Sequence, residues 1–167
     1  RLSPVPHMQQ LGAYGAPNRD PRHQSVAVVY WGVTRYGDIQ TTSSNLHPIP
    51  IGSWTSEEFR FAFDHQLIAN DALAALRQAM NNTSAATQLC EAHFTMSELQ
   101  HVYEIIFDTK ISAGNFHRKI SNTPGFIIPT DQQIQEPNKK GRPAQHFQST
   151  EIVAISPPFQ FQATPPE

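Results

Sequence analysis

The residues whose types are best suited to reading another macromolecule lie in NFHRK, residues 115–119. On a helix of about 100° per residue, Phe116 and Ile120 share one face and Arg118 points almost directly away from them. In the major groove of DNA, arginine pairs bidentately with guanine and asparagine with adenine. The pattern predicts a DNA-reading helix, with an ordinary solvated helix surface as the alternative. The candidate contacts are Asn115, His117, Arg118 and Lys119.

A second basic group stands in NKKGRP, residues 138–143, where Gly141 permits a tight turn. FIIP (126–129) and AQHF (144–147) can pair as the two strands on either side of this tip. Basic tips of this kind grip phosphates or insert an arginine into the minor groove. The alternative is a flexible basic loop without a role. The basic side chains on the tip are Lys139, Lys140 and Arg142.

The charge of the chain is unevenly distributed. The whole sequence has a net charge of -2, which by itself argues mildly against a nucleic-acid partner. Residues 110–148, however, hold six lysines and arginines against two acidic residues, a local charge of +4 before histidines are counted. A local basic face is what contact with phosphates requires, and the sum over the whole chain does not test it.

The elements that must position these side chains can be read from the segment before them. TMSELQHVYEIIF (95–107) predicts a helix that opens with a capping box, in which Thr95 and Glu98 each bond the other's backbone N–H. Its apolar residues recur at helical spacing and predict a buried stripe. Ser112 is a good N-cap for the polar helix that follows. A capped helix, a short turn, a polar helix and a basic hairpin together are typical of a winged helix-turn-helix.

The N-terminal part is less complete. SVAVVYWGV (25–33) predicts a strand buried on both faces, as at the centre of a sheet. A short strand is possible at residues 39–42, and a long helix is predicted over about residues 64–80. Few neighbouring strands are available, so we expect this part to need pairing with another chain. NNTSA (81–85) then breaks the helical pattern and predicts a domain boundary.

Three regions result. We expect an N-terminal region at 1–82, a winged helix-turn-helix at 83–148, and an extended or disordered appendage at 149–167 that holds four of the fourteen prolines.

Composition excludes several classes of protein. No run of apolar residues is long enough for a transmembrane helix, and the N-terminus has no apolar core of a secretory signal. The single cysteine, Cys90, is expected to be buried and inert, and it fits a reducing, cytoplasmic setting. The eight histidines lack zinc-site spacing, so neither a metal site nor a catalytic residue is predicted. A chain without an initiator methionine is expected to be a piece of a longer protein.

Several stretches resemble a known family, the Nudix-related transcriptional regulators of NAD metabolism. The similarity covers nearly everything from residue 14 to residue 148. It implies an α+β fold in which a partial Nudix-like α/β region, the truncated effector and dimerisation region at 1–82, precedes the winged helix. The stretches are YGAPNRDPRHQSVAVVY (14–30), FAFDH (61–65), LIANDALAALRQAM (67–80), FTMSELQHVYEIIF (94–107), NFHRKI (115–120) and GRPAQHF (141–147).

The resemblance implies a function as well as a fold. Family members generally dimerise and repress genes until an ADP-ribose-like nucleotide binds the Nudix half. We therefore expect a homodimer, double-stranded palindromic operator DNA and a nucleotide effector as partners, with no cofactor. Residues 115–119 match the DNA-reading helix and Arg142 matches the wing. His117 stands where an arginine is frequent in the family, which bears on operator preference.

The resemblance also identifies a candidate effector site. The loop RDPR, residues 19–22, matches a family signature beside the ligand pocket. An arginine pair, Arg19 and Arg22, could hold a diphosphate while Asp20 orients Arg22. A loop that is merely stabilised by Asp–Arg pairing is the alternative.

The metal-binding Nudix box of the related hydrolases does not occur in these residues. That motif gathers divalent metal ions on glutamates, and the nearest acidic pair here, Glu57 and Glu58, lacks its partner residues. We therefore predict that the chain is not an enzyme. Two other hypotheses stay open: a fragment of an ADP-ribose pyrophosphatase-type hydrolase, and a winged helix used only for protein association. Residues 34–60 also depart from the family, so the ligand pocket is expected to be degenerate.

Overall fold

In the computed structural model, the chain divides into two compact units, Arg1–Arg77 and Gln78–Glu167. Helices and strands occur in both units. The strand predicted at 39–42, the acidic pair Glu57 and Glu58, and the basic tip lie outside the described residues. The described residues are 7–35, 47–54, 59–131, 144–149 and 151–162.

The first unit contains an antiparallel sheet of two strands, β1 (His7–Tyr14) and β2 (Ala27–Val33). Strand β1 was not predicted, because HMQQLGAY has no alternating apolar pattern. The prediction that β2 is buried on both faces is wrong for the described residues. Its side chains alternate, and Val28 and Tyr30 are 55% and 60% exposed. A strand in a two-stranded sheet can cover at most one of its faces, and the apolar run does not reveal how many neighbours the strand has.

The long helix α1 runs over His65–Asn82 and confirms the helix predicted over about residues 64–80. Alanine and leucine dominate its sequence, and both have high helix propensity. A short 3-10 helix, Ile51–Ser53, precedes it. The Tyr14 hydroxyl donates to Asp71 Oδ2 at 2.9 Å and ties β1 to the middle of α1.

The C-terminal end of α1 has its carbonyl groups satisfied by groups outside the helix. The last four carbonyls of an α-helix have no partner within the helix and need other donors. Here each has one, and three of the four are supplied by residues far away in the sequence. The pairs are Ala79 with Thr83 N and Oγ1, Met80 with the Tyr103 hydroxyl, Asn81 with Phe159 N, and Asn82 with Ile155 N.

The second unit has the order predicted for a winged helix. A 3-10 helix (Ser84–Leu89) leads to β3 (Phe94–Thr95), α2 (Met96–Phe107) and α3 (Ala113–Ser121). Strands β4 (Ile127–Pro129) and β5 (His146–Ser149) follow and pair antiparallel, in a sheet of order β3-β5-β4. The predicted pairing of the strands beside the basic tip is thereby confirmed, with Ile128 opposite Gln148.

Helix α2 begins with the predicted capping box. Thr95 N donates to Glu98 Oε2 at 2.6 Å, and Glu98 N donates to Thr95 Oγ1 at 3.2 Å. The helix ends at Asp108, which adopts the left-handed conformation with φ of 47°. Leu99, Tyr103 and Ile106 of the predicted stripe are buried.

The turn between α2 and α3 is fixed by Glu104. Its carboxylate accepts from Ile111 N at 3.0 Å, from Gln100 Nε2 at 3.2 Å and from Lys110 Nζ at 3.2 Å. These donors, the Ile111 amide first, lower the pKa of Glu104 to about 2. The carboxylate thus stays ionised and holds α3 at a defined angle after α2.

The core of the second unit is aromatic. The Tyr103 ring lies 5.3 Å from the Phe116 ring and 6.1 Å from the Phe107 ring, centroid to centroid. Large aromatic side chains contribute much of the apolar area that a small domain buries. The largest fully buried side chains are Tyr103, Phe94, Phe107, Phe116, Phe126, Met80, Leu99 and Ile120.

The segment after β5 is not a disordered appendage over its described residues, 151–162. Ile155 and Phe159 are each only 5% exposed. Ala154 forms a β-bridge with Thr83. The prolines suggested disorder, but the two aromatic residues spaced two apart, Phe159 and Phe161, find an apolar surface to cover. We refer to residues 151–162 as the C-terminal strap.

Candidate nucleic-acid interface and effector loop

Helix α3 has two chemically distinct faces. Phe116 and Ile120 are completely buried and fix the helix on the core. Asn115, His117 and Arg118 are exposed on the other side. Ser112 is the N-cap, as predicted, although its side chain makes no capping hydrogen bond. The described structure therefore presents polar and basic side chains on a helix held by two apolar anchors.

The exposed face is partly organised. Arg118 NH2 donates to Asn115 Oδ1 at 3.2 Å, one helical turn away. Ser121 Oγ lies 3.4 Å from His117 Nδ1, and the donor depends on the tautomer of the histidine. Both contacts are exposed and can be exchanged for contacts to a ligand. An arginine and an asparagine side by side carry the donors and acceptors that base edges in a major groove require.

Lys119 lies at the edge of this face and is directed elsewhere. Its Nζ is 4.7 Å from the centroid of the Phe161 ring and 5.1 Å from that of Phe159. An ammonium group above an aromatic face is attracted by the negative potential of the ring. The structure thus separates Lys119 from Asn115 and Arg118, with which the sequence pattern grouped it.

The predicted wing is described only at its strands. Strands β4 and β5 are in place, and Thr130 N donates to His146 O at 2.9 Å beyond their last paired residues. Three predicted DNA contacts, Lys139, Lys140 and Arg142, lie outside the described residues.

In the first unit, Arg19 of the predicted effector loop is occupied by protein groups. Its Nε donates to Asp64 Oδ2 at 2.8 Å, its NH2 to Asp64 Oδ1 at 3.1 Å, and its NH1 to Ser25 Oγ at 3.1 Å. The hydrogen bond from Arg19 lowers the pKa of Asp64 and so keeps it ionised. This bidentate pair holds the loop to the residue immediately before α1.

Arg22 is arranged differently. The Asp20 carboxylate accepts from Arg22 Nε at 2.9 Å, from Arg22 NH2 at 2.8 Å and from Arg22 N at 3.0 Å. The hydrogen bonds from Arg22 hold the pKa of Asp20 well below its usual range. The geometry predicted for this pair, in which Asp20 orients Arg22, is confirmed. The Arg22 side chain is still 67% exposed, and its guanidinium lies 5.1 Å from the Phe63 ring centroid.

The first unit also contains a cavity of about 480 Å³. Strand β2 contributes Trp31 and helix α1 contributes His65, while Arg60 and Phe61 come from the segment before α1. Of the described residues that line it, none belongs to the 19–22 loop, although that loop is bonded to Asp64, next to His65. The volume falls within the range of small-molecule pockets, roughly 300–1,000 Å³. Its aromatic wall was not predicted, because its residues are distant from one another in the sequence.

Two further searches concern the described residues alone. Among them, no group of three or more His, Cys, Asp or Glu side chains is arranged to hold a metal ion. Their helices include none long and apolar enough to cross a membrane. Cys90 is buried, at 6% exposure, as expected, and burial raises the pKa of its thiol to about 12.

The comparison with family models identifies the second unit. The family described as the NrtR DNA-binding winged helix domain matches residues 86–148. This match spans α2, α3 and both strands of the predicted wing, and it stops before the C-terminal strap.

A curated relative shares more of the chain. The ADPR responsive transcriptional repressor NtrR of Acinetobacter baylyi is 29% identical over 131 residues. The match covers 76% of this chain and 51% of the relative, so the chain spans about half of the relative's length.

Solved structures agree in fold. NrtR of Shewanella oneidensis in complex with a 27mer DNA has a TM-score of 0.73 at 26% identity, covering 88% of this chain and 66% of the other. The same protein without DNA in its description gives 0.69 at 25% identity, covering 93% and 69%. A MutT/nudix family protein from Enterococcus faecalis gives 0.57 at 18% identity, covering 87% and 62%, and bears on the fold alone. The predicted resemblance and the α+β fold, a Nudix-like region followed by a winged helix, are confirmed.

Proposed function

We propose that this chain, which carries an NrtR-type winged helix domain at residues 86–148, is a transcriptional repressor that binds operator DNA and responds to an ADP-ribose-like nucleotide. One observation carries the DNA-binding part: Asn115, His117 and Arg118 stand exposed on α3, opposite the buried Phe116 and Ile120. The similarity to a repressor and to an NrtR solved with DNA supports the same interpretation.

In the proposed complex, α3 enters the major groove. Arg118 and Asn115 contact base edges, because they offer bidentate hydrogen bonding to guanine and adenine. The basic tip, with Lys139, Lys140 and Arg142, contacts phosphates or the minor groove. A homodimer would place two such helices about one turn of DNA apart and would select a palindromic operator.

The DNA contact is tested with Arg118→Ala. A duplex is first selected by the full chain from a random-sequence pool, and a scrambled duplex of the same length serves as the non-specific probe. We expect Arg118→Ala to weaken binding to the selected duplex by about 1–3 kcal/mol, roughly 5- to 150-fold, since one bidentate base contact is lost. Binding to the scrambled duplex should change far less.

Arg60→Ala is the matched control, since it removes the same charge from an exposed residue of the first unit. It should leave both affinities near those of the unmodified chain. An unchanged affinity of Arg118→Ala for the selected duplex would show that α3 is oriented differently from our proposal.

For the effector, we propose an ADP-ribose-like nucleotide bound by the first unit. The arginine oriented by Asp20, Arg22, is available for a phosphate oxygen because most of its side chain is exposed. Arg19 would instead keep the loop in place, since Asp64 and Ser25 already take its donors. The aromatic cavity beside His65 is large enough for a nucleotide base and ribose.

A fluorescence titration tests the effector proposal. Trp31 lines the cavity, so ADP-ribose should change the tryptophan emission of the chain, and Trp31→Phe should remove most of that change. Arg22→Ala should weaken the apparent affinity about tenfold, the effect expected for one charge-assisted hydrogen bond. ADP-ribose binding that is indifferent to both substitutions would mean that the nucleotide binds elsewhere.

We also propose that the chain has no hydrolase activity of its own. Relatives with a printed function are named as transcriptional regulators, and these residues hold no Nudix box. Incubation with ADP-ribose and Mg²⁺ should release no AMP. A regulator must share a compartment with its DNA, which agrees with the predicted cytoplasmic location.

A further inference from the structure

We propose that the C-terminal strap positions the DNA-reading helix, with Phe159 and Phe161 holding Lys119 and thereby setting the rotation of α3 about its axis. This inference rests on the proposed function. The strap lies beyond residues 86–148, the range matched by the winged helix family.

The strap reaches α3 through its two aromatic rings. The Phe161 ring lies 6.0 Å from that of Phe116, the buried anchor of α3, and 5.0 Å from that of Tyr103 in α2. Phe159 lies 5.7 Å from Phe126, at the start of the first wing strand. The strap therefore contacts the reading helix, the supporting helix and the base of the wing.

Lys119 closes the arrangement. It follows Phe116 by three residues, so both side chains lie on neighbouring parts of the same helix face. Its ammonium group lies above both strap rings, at 4.7 Å and 5.1 Å from the centroids. A rotation of α3 that carried Arg118 away from a groove would pull Lys119 off the rings, so this contact resists the rotation.

The strap is itself fixed to the rest of the unit. Asn81, near the end of α1, donates from Nδ2 to Phe161 O at 2.8 Å and accepts at Oδ1 from Phe161 N at 3.1 Å. Its carbonyl oxygen also accepts from Phe159 N at 2.8 Å. Ser84 N donates to Val153 O at 2.9 Å, and Val153 N donates to Ser84 Oγ at 3.0 Å. The rings are thus held on a well-bonded backbone and are not simply resting on the surface.

This arrangement assigns Lys119 and Arg118 different roles. Arg118 would touch the bases, whereas Lys119 would act through the strap and would not contact a phosphate. The two roles have different salt signatures, because each phosphate contact that is made releases counterions and steepens the dependence of log K on log salt concentration by about 0.9.

The first test alters the ring of Phe161 in the full chain. Phe161→Leu keeps an apolar side chain but removes the aromatic face, and Phe161→Tyr keeps the face. We expect Phe161→Leu to lower affinity for the duplex selected from a random pool about tenfold, as for a misaligned base contact, with affinity for the scrambled duplex nearly unchanged. Phe161→Tyr should retain the selectivity of the unmodified chain. Gln160→Ala, an exposed neighbour in the strap, is the control.

The second test uses Lys119→Met, which keeps an unbranched side chain that packs on aromatic rings but removes the charge. The slope of log K against log salt for the scrambled duplex should match that of the unmodified chain. A slope shallower by about 0.9 would mean that Lys119 contacts a phosphate, and would overturn its assignment to the strap.

A spectroscopic test is independent of DNA. The Cε protons of Lys119 should be shifted upfield by the ring currents of Phe159 and Phe161, and the shift should shrink in Phe161→Leu while persisting in Phe161→Tyr. An unshifted signal in the unmodified chain would contradict the contact itself.

The outcomes separate the two proposals. If the unmodified chain does not select any duplex from the pool, the proposed function fails and the strap proposal fails with it. If the chain selects a duplex but Phe161→Leu leaves the ratio of selected to scrambled affinity unchanged, or lowers both affinities in parallel, only the strap proposal fails.

Discussion

Removal of the Tyr103 hydroxyl is the substitution whose effect follows most directly from the described contacts. Tyr103 is completely buried, and its hydroxyl donates to Met80 O at 2.9 Å. The usual donor for that carbonyl would be the amide four residues later, but Ser84 N donates to Val153 O instead. The hydroxyl therefore takes the place of a helical hydrogen bond at the end of α1.

The substitution Tyr103→Phe keeps the ring and its contacts with Phe107 and Phe116, so the change is confined to one hydrogen bond. A buried carbonyl that loses its partner costs about 1–3 kcal/mol of unfolding free energy. Burial also raises the pKa of Tyr103, which ensures that the hydroxyl is protonated and donating at every pH where the protein is folded.

Urea unfolding followed by far-ultraviolet circular dichroism measures the effect. With a denaturant slope of about 2 kcal/mol per molar urea, the midpoint should fall by roughly 0.5–1.5 M. Tyr30→Phe is the matched control, because Tyr30 is 60% exposed and a surface substitution should change stability by less than about 0.5 kcal/mol. A Tyr103→Phe midpoint equal to that of the control would refute the account of how α1 is terminated.

Three further predictions concern single groups. Glu104→Gln should destabilise the chain at neutral pH. Because the folded pKa of Glu104 is lowered to about 2, its contribution is present above the ordinary glutamate value and lost as pH falls through the folded value, so unfolding curves of the variant and the unmodified chain should converge in acid. Asp64→Asn should lower the melting temperature by a few degrees at neutral pH by breaking the pair with Arg19, and the difference should narrow below the ordinary aspartate pKa, since the folded pKa is depressed. Cys90 should resist thiol reagents at neutral pH until urea is added, because burial raises its pKa to about 12; rapid labelling of the native chain would contradict its burial.

The parts of the fold that the sequence predicts correctly depend on local signals. The capping box at Thr95 and Glu98 requires only three intervening peptide units, and the two faces of α3 follow from helical spacing. The pairing of β4 and β5 follows from apolar runs on either side of a turn.

Features that require knowledge of distant neighbours could not be predicted. Arg19 and Asp64 are 45 residues apart, so nothing in either segment reveals their pairing. Strand β1 lacks an apolar pattern and is recognisable only beside β2. The Pro-rich strap reads as disordered until Phe161 and Lys119 are brought together by the second unit, which also changes the role expected for Lys119.

The most direct test of the central claim is the binding of the full chain to a duplex selected from a random pool and to its scrambled counterpart, measured by fluorescence anisotropy at two salt concentrations. We predict preference for the selected duplex, a palindromic selected sequence, and affinity for both duplexes that falls steeply as salt rises, because counterions are released from phosphates. Absence of binding at low salt, or binding that is insensitive to salt and sequence, would contradict a DNA-reading α3. Such a result would favour a winged helix used for protein association.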